Sequence, residues 1–119
     1  MPDTPSLDPA ALEHLKGLGG ASFVREMVQM FYGYSDEKLA AARTALDGGD
    51  LTGVEKAIHP LKTSAGHVGA MAMKQISQQI EQSSRDGDQE PIPGLLSALE
   101  QAYAEVKPLL EAKLEDFPN

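Results

Sequence analysis

The sequence predicts an all-α protein, an up-down antiparallel four-helix bundle preceded by a short N-terminal helix. Apolar residues recur three and four positions apart along most of the 119 residues, and no alternating run of useful length predicts a strand. Aromatic residues make up 5% of the chain, tryptophan is absent, and alanine, leucine and glutamine are plentiful, which favours helices over sheets. Short polar loops between the periodic segments imply antiparallel neighbours in a bundle.

Residues 8–50 are expected to form two helices separated by a cluster of glycines. The Asp-Pro pair at residues 8–9 provides an N-cap followed by proline at the first helical position, so a short helix is predicted over residues 9–16. The glycines of residues 17–20 should end it. A longer helix is predicted over residues 23–46, and the Asp-Gly-Gly-Asp turn that follows should end that one.

The clearest apolar stripe lies in the next helix. Its residues are spaced as in a helix packed into a bundle: Leu51, Val54, Ile58, Leu61, Ala65 and Val68. Pro60 removes one backbone hydrogen bond inside this stripe, so one bent helix is expected. A further helix should follow Gly69 and end at the turn of residues 85–88. The last helix should cover residues 95–110, kinked or shortened by Pro108.

Charge and composition exclude several classes of function. The chain has 18 acidic against 10 basic side chains, a formal net charge of -8, so it offers no basic surface for nucleic acid or for an anionic membrane. It has no cysteine, which excludes a disulfide scaffold, thiol chemistry and cysteine-ligated metal sites. No signal peptide and no apolar run of about 18 residues is found. We therefore expect a cytoplasmic, monomeric single domain over residues 1–119, with flexible ends at residues 1–7 and 115–119.

His59 is the side chain that the helical pattern singles out. It points well away from the centre of the apolar stripe of its own helix, so its imidazole should be accessible to solvent. Glu55, Lys62 and Gly66 lie on the same side, one or two turns away. A cation beside an accessible imidazole can receive an anion, and a glycine without a side chain lets another protein approach. From this geometry alone, a solvated surface histidine remains the alternative.

Other candidate sites are weaker. His14 and His67 are expected to be solvated surface residues, because neither has converging partners. The paired Glu-x-x-His motifs of a di-metal bundle are absent, so no metal site is predicted. No glycine-rich nucleotide-binding loop is found, so ATP-dependent kinase activity is not expected.

A local string around His59 carries a resemblance to a known family. Residues 57–70, Ala-Ile-His-Pro-Leu-Lys-Thr-Ser-Ala-Gly-His-Val-Gly-Ala, resemble the signature of histidine-containing phosphotransfer (HPt) domains, commonly His-x-Leu-Lys-Gly-Ser followed by Gly-Ala. The matching residues are His59, Leu61, Lys62, Ser64, Gly69 and Ala70. Flanking matches are Leu7-Asp8, the Gly-Gly-x-x-Phe that ends at Phe23, the Gly-Asp-Leu before the helix, and Ile80-Glu81. The resemblance covers nearly the whole chain, from about Leu7 to Leu114.

The resemblance implies a relay protein that passes a phosphoryl group between receiver-domain aspartates through a phosphohistidine at His59. Lys62 would offset charge on the phosphoryl oxygens, and Arg85 would be a second phosphoryl-facing cation. Glu81 would bond to the inner ring nitrogen, where the family often has glutamine. Such a chain is a phosphohistidine carrier rather than a stand-alone enzyme. It would need no cofactor, because the magnesium ion belongs to the partner receiver.

The implied partners are response-regulator receiver domains and the receiver of a hybrid histidine kinase. Family geometry puts the partner-binding face on the short first helix and the start of the second. The corresponding residues are Leu7, Ala11, Phe23 and Met27, with Thr63 and Gly66 beside the acceptor. The alternative is that the apolar members of this set cap the open end of the bundle.

Two residues depart from the family pattern. Thr63 replaces the usual glycine and would narrow the choice of receivers, and Pro60 directly follows the histidine. Ser64 and Gly69 are expected to have structural roles. Because of the departures, a non-phosphorylated helical interaction module stays open as the second hypothesis. A detached phosphoacceptor domain of a larger kinase is a third, which we disfavour because we expect the chain to be complete.

Overall fold

The computed structural model describes residues 4–118, and its helices form an antiparallel bundle that confirms the predicted fold class. The elements are α1 (Ala10–Asp47), α2 (Leu51–Val68), α3 (Met71–Arg85) and α4 (Ile92–Leu114). Each helix packs against the next in sequence, and α4 packs back against α1, which closes the bundle. No strand occurs within residues 4–118.

The core is built from the apolar stripes that the sequence periodicity defines. One stripe from each helix is buried in a single cluster, which includes Val24, Val28, Ile58, Leu61, Met73, Ile80, Leu96 and Leu99. Burial of these side chains removes apolar surface from water and holds the helices in register. The register in turn fixes which polar side chains of α2 and α3 face each other.

The predicted short N-terminal helix is the first arm of α1, which is interrupted at Gly20. This glycine has φ 85° and ψ -177°, a conformation that residues with a Cβ rarely adopt. The helix continues through Gly17 and Gly19, later than expected, because Leu12 and Leu15 are buried and hold this arm on the bundle. The break therefore lies at one residue rather than across the whole glycine cluster.

α2 is helical at every residue from Leu51 to Val68, Pro60 included. Its N-cap is Asp50, whose carboxylate accepts a hydrogen bond of 2.9 Å from the Gly53 amide. Ile58 and Leu61, on either side of the proline, are fully buried, so core packing holds the helix through the position where Pro60 lacks an amide hydrogen. His59 therefore keeps its helical position beside the proline.

Both ends of the described chain make contacts with the bundle. The Ala72 amide donates to the Pro5 carbonyl at 3.1 Å, and the Asp8 amide donates to the Gly69 carbonyl at 2.8 Å. At the other end Phe117 is buried, and Arg25 donates to its carbonyl at 2.9 Å. Apolar burial and backbone pairing give these segments defined positions. Residues 1–3 and 119 of the predicted flexible ends lie outside the described residues.

The start and end of α4 also differ from the prediction. The helix begins at Ile92 and continues to Leu114, so Pro108 does not shorten it. Ile92 and Leu114 are buried, which accounts for helical structure beyond both expected ends.

Candidate functional site

His59 lies on the face of α2 that is turned toward α3 and solvent. Its side chain is 55% exposed, and Nδ1 contacts Oε2 of Glu81 on α3. A carboxylate can only accept a hydrogen bond, so the proton of the imidazole belongs on Nδ1. Nε2 is therefore the nitrogen with a free lone pair on the accessible side of the ring.

Glu81 is the centre of the site and the most buried charged group in it. Its side chain is only 3% exposed, and its Oε1 accepts a hydrogen bond of 2.6 Å from Nζ of Lys62. Arg85, one turn later on α3, donates to Oε2 at 3.2 Å. A buried carboxylate needs such partners, because taking it out of water is costly without them. Glu81 thus joins one imidazole and two cations across the α2–α3 seam.

The pKa of the Glu81 carboxyl reflects two opposing influences. Burial on its own raises this pKa, but the hydrogen bonds and charges of Lys62 and His59 outweigh burial, and the pKa lies below its ordinary value. The carboxylate is therefore ionised at neutral pH. An ionised Glu81 favours the Nδ1–H form of the ring and can stabilise positive charge that develops on it.

Arg85 bridges the two helices of the site. Its Nε donates to Oε2 of Glu55, which lies one turn before His59 on α2, while its Nη2 reaches Glu81. These interactions raise the pKa of the guanidinium, and the hydrogen bond that Arg85 donates to Glu55 is the largest cause. Both cations predicted for the site, Lys62 and Arg85, are therefore close to His59 but are bonded to carboxylates.

Residues 26–108 match the family model of the Hpt domain. The chain belongs to the Hpt domain family. Proteins of this family act in phosphorelays, together with receiver domains and histidine kinases, so this Hpt domain has a phosphotransfer role. The resemblance found in the sequence is thereby confirmed.

Solved structures support the same fold. The Hpt domain is similar to histidine-containing phosphotransfer protein B (HptB) from Pseudomonas aeruginosa, with a TM-score of 0.89 and 23% identity over 98% of this chain and 100% of that one. A histidine-containing phosphotransfer protein from rice matches with a TM-score of 0.80 and 22% identity over 92% of this chain and 80% of that one. MtHPt2 from Medicago truncatula matches with a TM-score of 0.74 and 23% identity over 92% and 75%. No curated protein sequence matches the chain significantly.

Most residues predicted for the partner-binding face of the Hpt domain line one groove between the first arm of α1 and α2. Ala11, Phe23, Met27 and Gly66 all border this groove. Leu7 does not: it lines a separate cavity together with Leu109 and Ala112 of α4. Thr63 is exposed on α2 and lies outside the residues that border the groove.

The sequence analysis missed some residues of this groove. Leu18 borders it and is 66% exposed, and the two histidines assigned to the surface, His14 and His67, border it as well. Leu18 was overlooked because it lies among the glycines that were expected to end the helix. An exposed leucine at the rim of a groove indicates a binding surface. Leu18 could be recognised as such a residue from the sequence only if the helix break were predicted at Gly20.

Ser64 and Gly69 occupy different structural positions. Ser64 borders a small cavity between α1 and α2 together with Phe31 and Val68. Gly69 ends α2 in the left-handed conformation, at φ 81° and ψ 17°. A Cβ at Gly69 would lie 2.4 Å from the Asp8 carbonyl oxygen, so this glycine lets the N-terminal segment cross the end of α2.

The described residues contain neither a metal-binding cluster nor a membrane-spanning helix. Within residues 4–118 no group of three or more His, Cys, Asp or Glu side chains is arranged to hold a metal ion. None of the helices described is both long enough and apolar enough to cross a lipid bilayer.

Proposed function

We propose that this Hpt domain accepts a phosphoryl group on Nε2 of His59 from the aspartate of one receiver domain and passes it to the aspartate of another. The observation that carries this proposal is the contact between Nδ1 of the exposed His59 imidazole and the buried carboxylate of Glu81. This contact fixes the tautomer and the orientation of the ring. It leaves one nitrogen free to act as a nucleophile.

The transfer step needs no external base at the histidine. The lone pair of Nε2 attacks phosphorus in line and forms the P–N bond, while the P–O bond to the aspartate breaks and the carboxylate leaves with its electron pair. The Nδ1 proton stays in place, so the phosphorylated ring is an imidazolium. Glu81 faces that positive charge and stabilises it. The reverse step on a second receiver completes the relay.

Lys62 and Arg85 are the cations that stabilise the transferred group in this proposal. Both have flexible side chains that end beside Glu81, within one turn of His59 or of its partner. Either can move from the carboxylate toward phosphoryl oxygens once these carry negative charge. Their role is electrostatic, because phosphoryl transfer gains most from neutralising charge on the equatorial oxygens.

The partner-binding groove supports receiver domains as the partners. Phe23 and Met27 are the apolar anchors, and Gly66 leaves room for a partner to approach α2. The magnesium ion of the transfer belongs to the receiver, and the Hpt domain itself holds no cofactor. We further propose that it acts as a monomer in the cytoplasm and does not phosphorylate itself from ATP.

Incubation with a panel of phosphorylated receivers tests the proposal. We expect acid-labile, base-stable label on the wild-type chain and on Lys56→Gln, and none on His59→Gln. Lys56 is a suitable control because it is exposed on the same helix and does not border the groove. Measurable binding without label across a broad panel would contradict phosphotransfer through His59 and favour a module that only binds receivers.

A further inference from the structure

The ion pair between Glu55 and Arg85 lies next to the proposed phosphoacceptor, and neither the family match nor the transfer step assigns it a role. We propose that Glu55 is a positioning residue that holds Arg85 away from the phosphoryl group and so lowers the stability of the phosphohistidine. The Hpt domain is thereby biased toward passing its phosphoryl group on. This inference rests on the proposed function of His59.

The geometry of the pair is specific to the seam between α2 and α3. Arg85 on α3 donates through Nε to Oε2 of Glu55 on α2 and through Nη2 to Oε2 of Glu81, at 3.2 Å. The guanidinium is thus held between two carboxylates from two helices. Glu55 precedes His59 by four residues, which puts it about 6 Å away along the helix axis.

Phosphorylation changes the electrostatic balance at this place. A phosphoryl group on Nε2 of His59 brings up to two negative charges close to the Glu55 carboxylate. The phosphoryl group and Glu55 then compete for Arg85. If Arg85 turns to the phosphoryl oxygens, Glu55 loses its partner beside a dianion. If Arg85 stays on Glu55, the phosphoryl group has Lys62 but lacks this second cation. Either arrangement leaves the phosphohistidine less stable than it would be without Glu55.

The expected size of the effect follows from charge and distance. One unit charge facing two at roughly 6 Å in water, weakened by salt, changes an equilibrium by about threefold to tenfold. Glu55 is partly exposed and Arg85 is more exposed, so solvent weakens their electrostatic interactions. The change in the equilibrium should therefore be small compared with that of buried charges at the same separation. It is large enough to alter the distribution of a phosphoryl group that is exchanged reversibly.

Glu55→Gln tests the inference in an equilibrium exchange with one phosphorylated receiver. The ratio of phosphohistidine to aspartyl phosphate should rise about threefold to tenfold relative to the wild type, and the rise should shrink at high salt. In an Arg85→Gln background the same substitution should have a smaller effect, because Glu55 acts partly through Arg85. Glu100→Gln is the matched control, since Glu100 pairs with Arg43 at 2.7 Å between α4 and α1 rather than beside His59.

The outcomes separate this inference from the proposed function. Equal thermal unfolding midpoints for the wild type, Glu55→Gln and Glu100→Gln make the comparison one of chemistry rather than of folding. A labelled wild type with an unchanged or lower ratio in Glu55→Gln overturns the inference and leaves the phosphotransfer function intact. A wild type that takes label neither from receivers nor from phosphoramidate overturns both.

Discussion

Glu81 contacts Nδ1 of His59 across the α2–α3 seam, joining the most buried carboxylate of the site to an imidazole that is more than half exposed. The burial of Glu81 fixes the ring, and the exposure of His59 presents Nε2 to a partner. The same carboxylate holds Lys62 at 2.6 Å, so orientation and charge compensation depend on one side chain.

The pH dependence of stability should report the ionised state of Glu81. Its pKa is lower in the folded protein than the ordinary value of 4.5, so it stabilises the fold above about pH 4.5, and this contribution is lost as the pH falls through the lower, folded-state pKa. Glu81→Gln lacks the contribution. We therefore expect the difference in unfolding free energy between wild type and variant to be largest near neutral pH and to shrink in acid. Denaturant unfolding from pH 3 to 7 measures it, and a constant difference would contradict the account.

Lys62→Ala should slow phosphoryl transfer by about tenfold without unfolding the protein. The substitution removes a cation that can reach the transferred group, and a charge-assisted contact of this kind contributes on the order of 1.4 kcal/mol. Lys56→Ala is the control, because Lys56 is an exposed lysine on the same helix. Single-turnover transfer from a phosphorylated receiver measures both variants. Equal transfer rates for Lys62→Ala and Lys56→Ala would contradict an electrostatic role of Lys62.

Leu18→Ala should weaken receiver binding about fivefold, which corresponds to about 1 kcal/mol of lost apolar burial. The side chain is 66% exposed at the rim of the groove, so its loss should not affect the core. Leu109→Ala serves as the control, since Leu109 is an exposed leucine that borders the separate cavity near Leu7. Calorimetric titration with a receiver gives both dissociation constants. A larger loss of affinity in Leu109→Ala than in Leu18→Ala would show that the receiver binds outside the groove.

Gly69→Ala should destabilise the fold much more than Gly87→Ala. Both glycines have positive φ, 81° and 73°, so each substitution costs about 1 kcal/mol in backbone strain. Only at Gly69 would the new Cβ meet the Asp8 carbonyl, at 2.4 Å, whereas nothing lies within 4 Å at Gly87. The total at Gly69 should be about 3 kcal/mol or more. Urea unfolding measures the loss of unfolding free energy in each variant. Equal losses would contradict the prediction and show that the N-terminal segment moves away from the new Cβ at little cost.

Much of the fold follows from the sequence because apolar spacing reports which face of a helix is buried. The stripe around Ile58 and Leu61 predicted α2, and the same stripe predicted that His59 points to solvent. The break in α1 was harder to predict. Several glycines permit a non-helical backbone, but the burial of Leu15 and the conformation of Gly20 decide where it occurs.

The candidate site could be predicted only in part. The pairing of His59 with Glu81 was expected from the family resemblance, whereas the bridge from Arg85 to Glu55 depends on the register between α2 and α3, which no local pattern specifies. The path of the chain before α1 is likewise not specified by a local sequence pattern. Leu7 was assigned to the partner-binding face by family analogy, and in the structure it lies beside α4.

The most direct test of the account is the position of the phosphoryl group on the imidazole. The hydrogen bond to Glu81 occupies Nδ1 of His59, so phosphorus must bond to Nε2. Phosphorus and nitrogen NMR of the phosphorylated chain, with 15N-labelled histidine and His59→Gln as reference, should show a single Nε2-phosphohistidine that disappears in the variant. Phosphorus on Nδ1, or on His14 or His67, would contradict it.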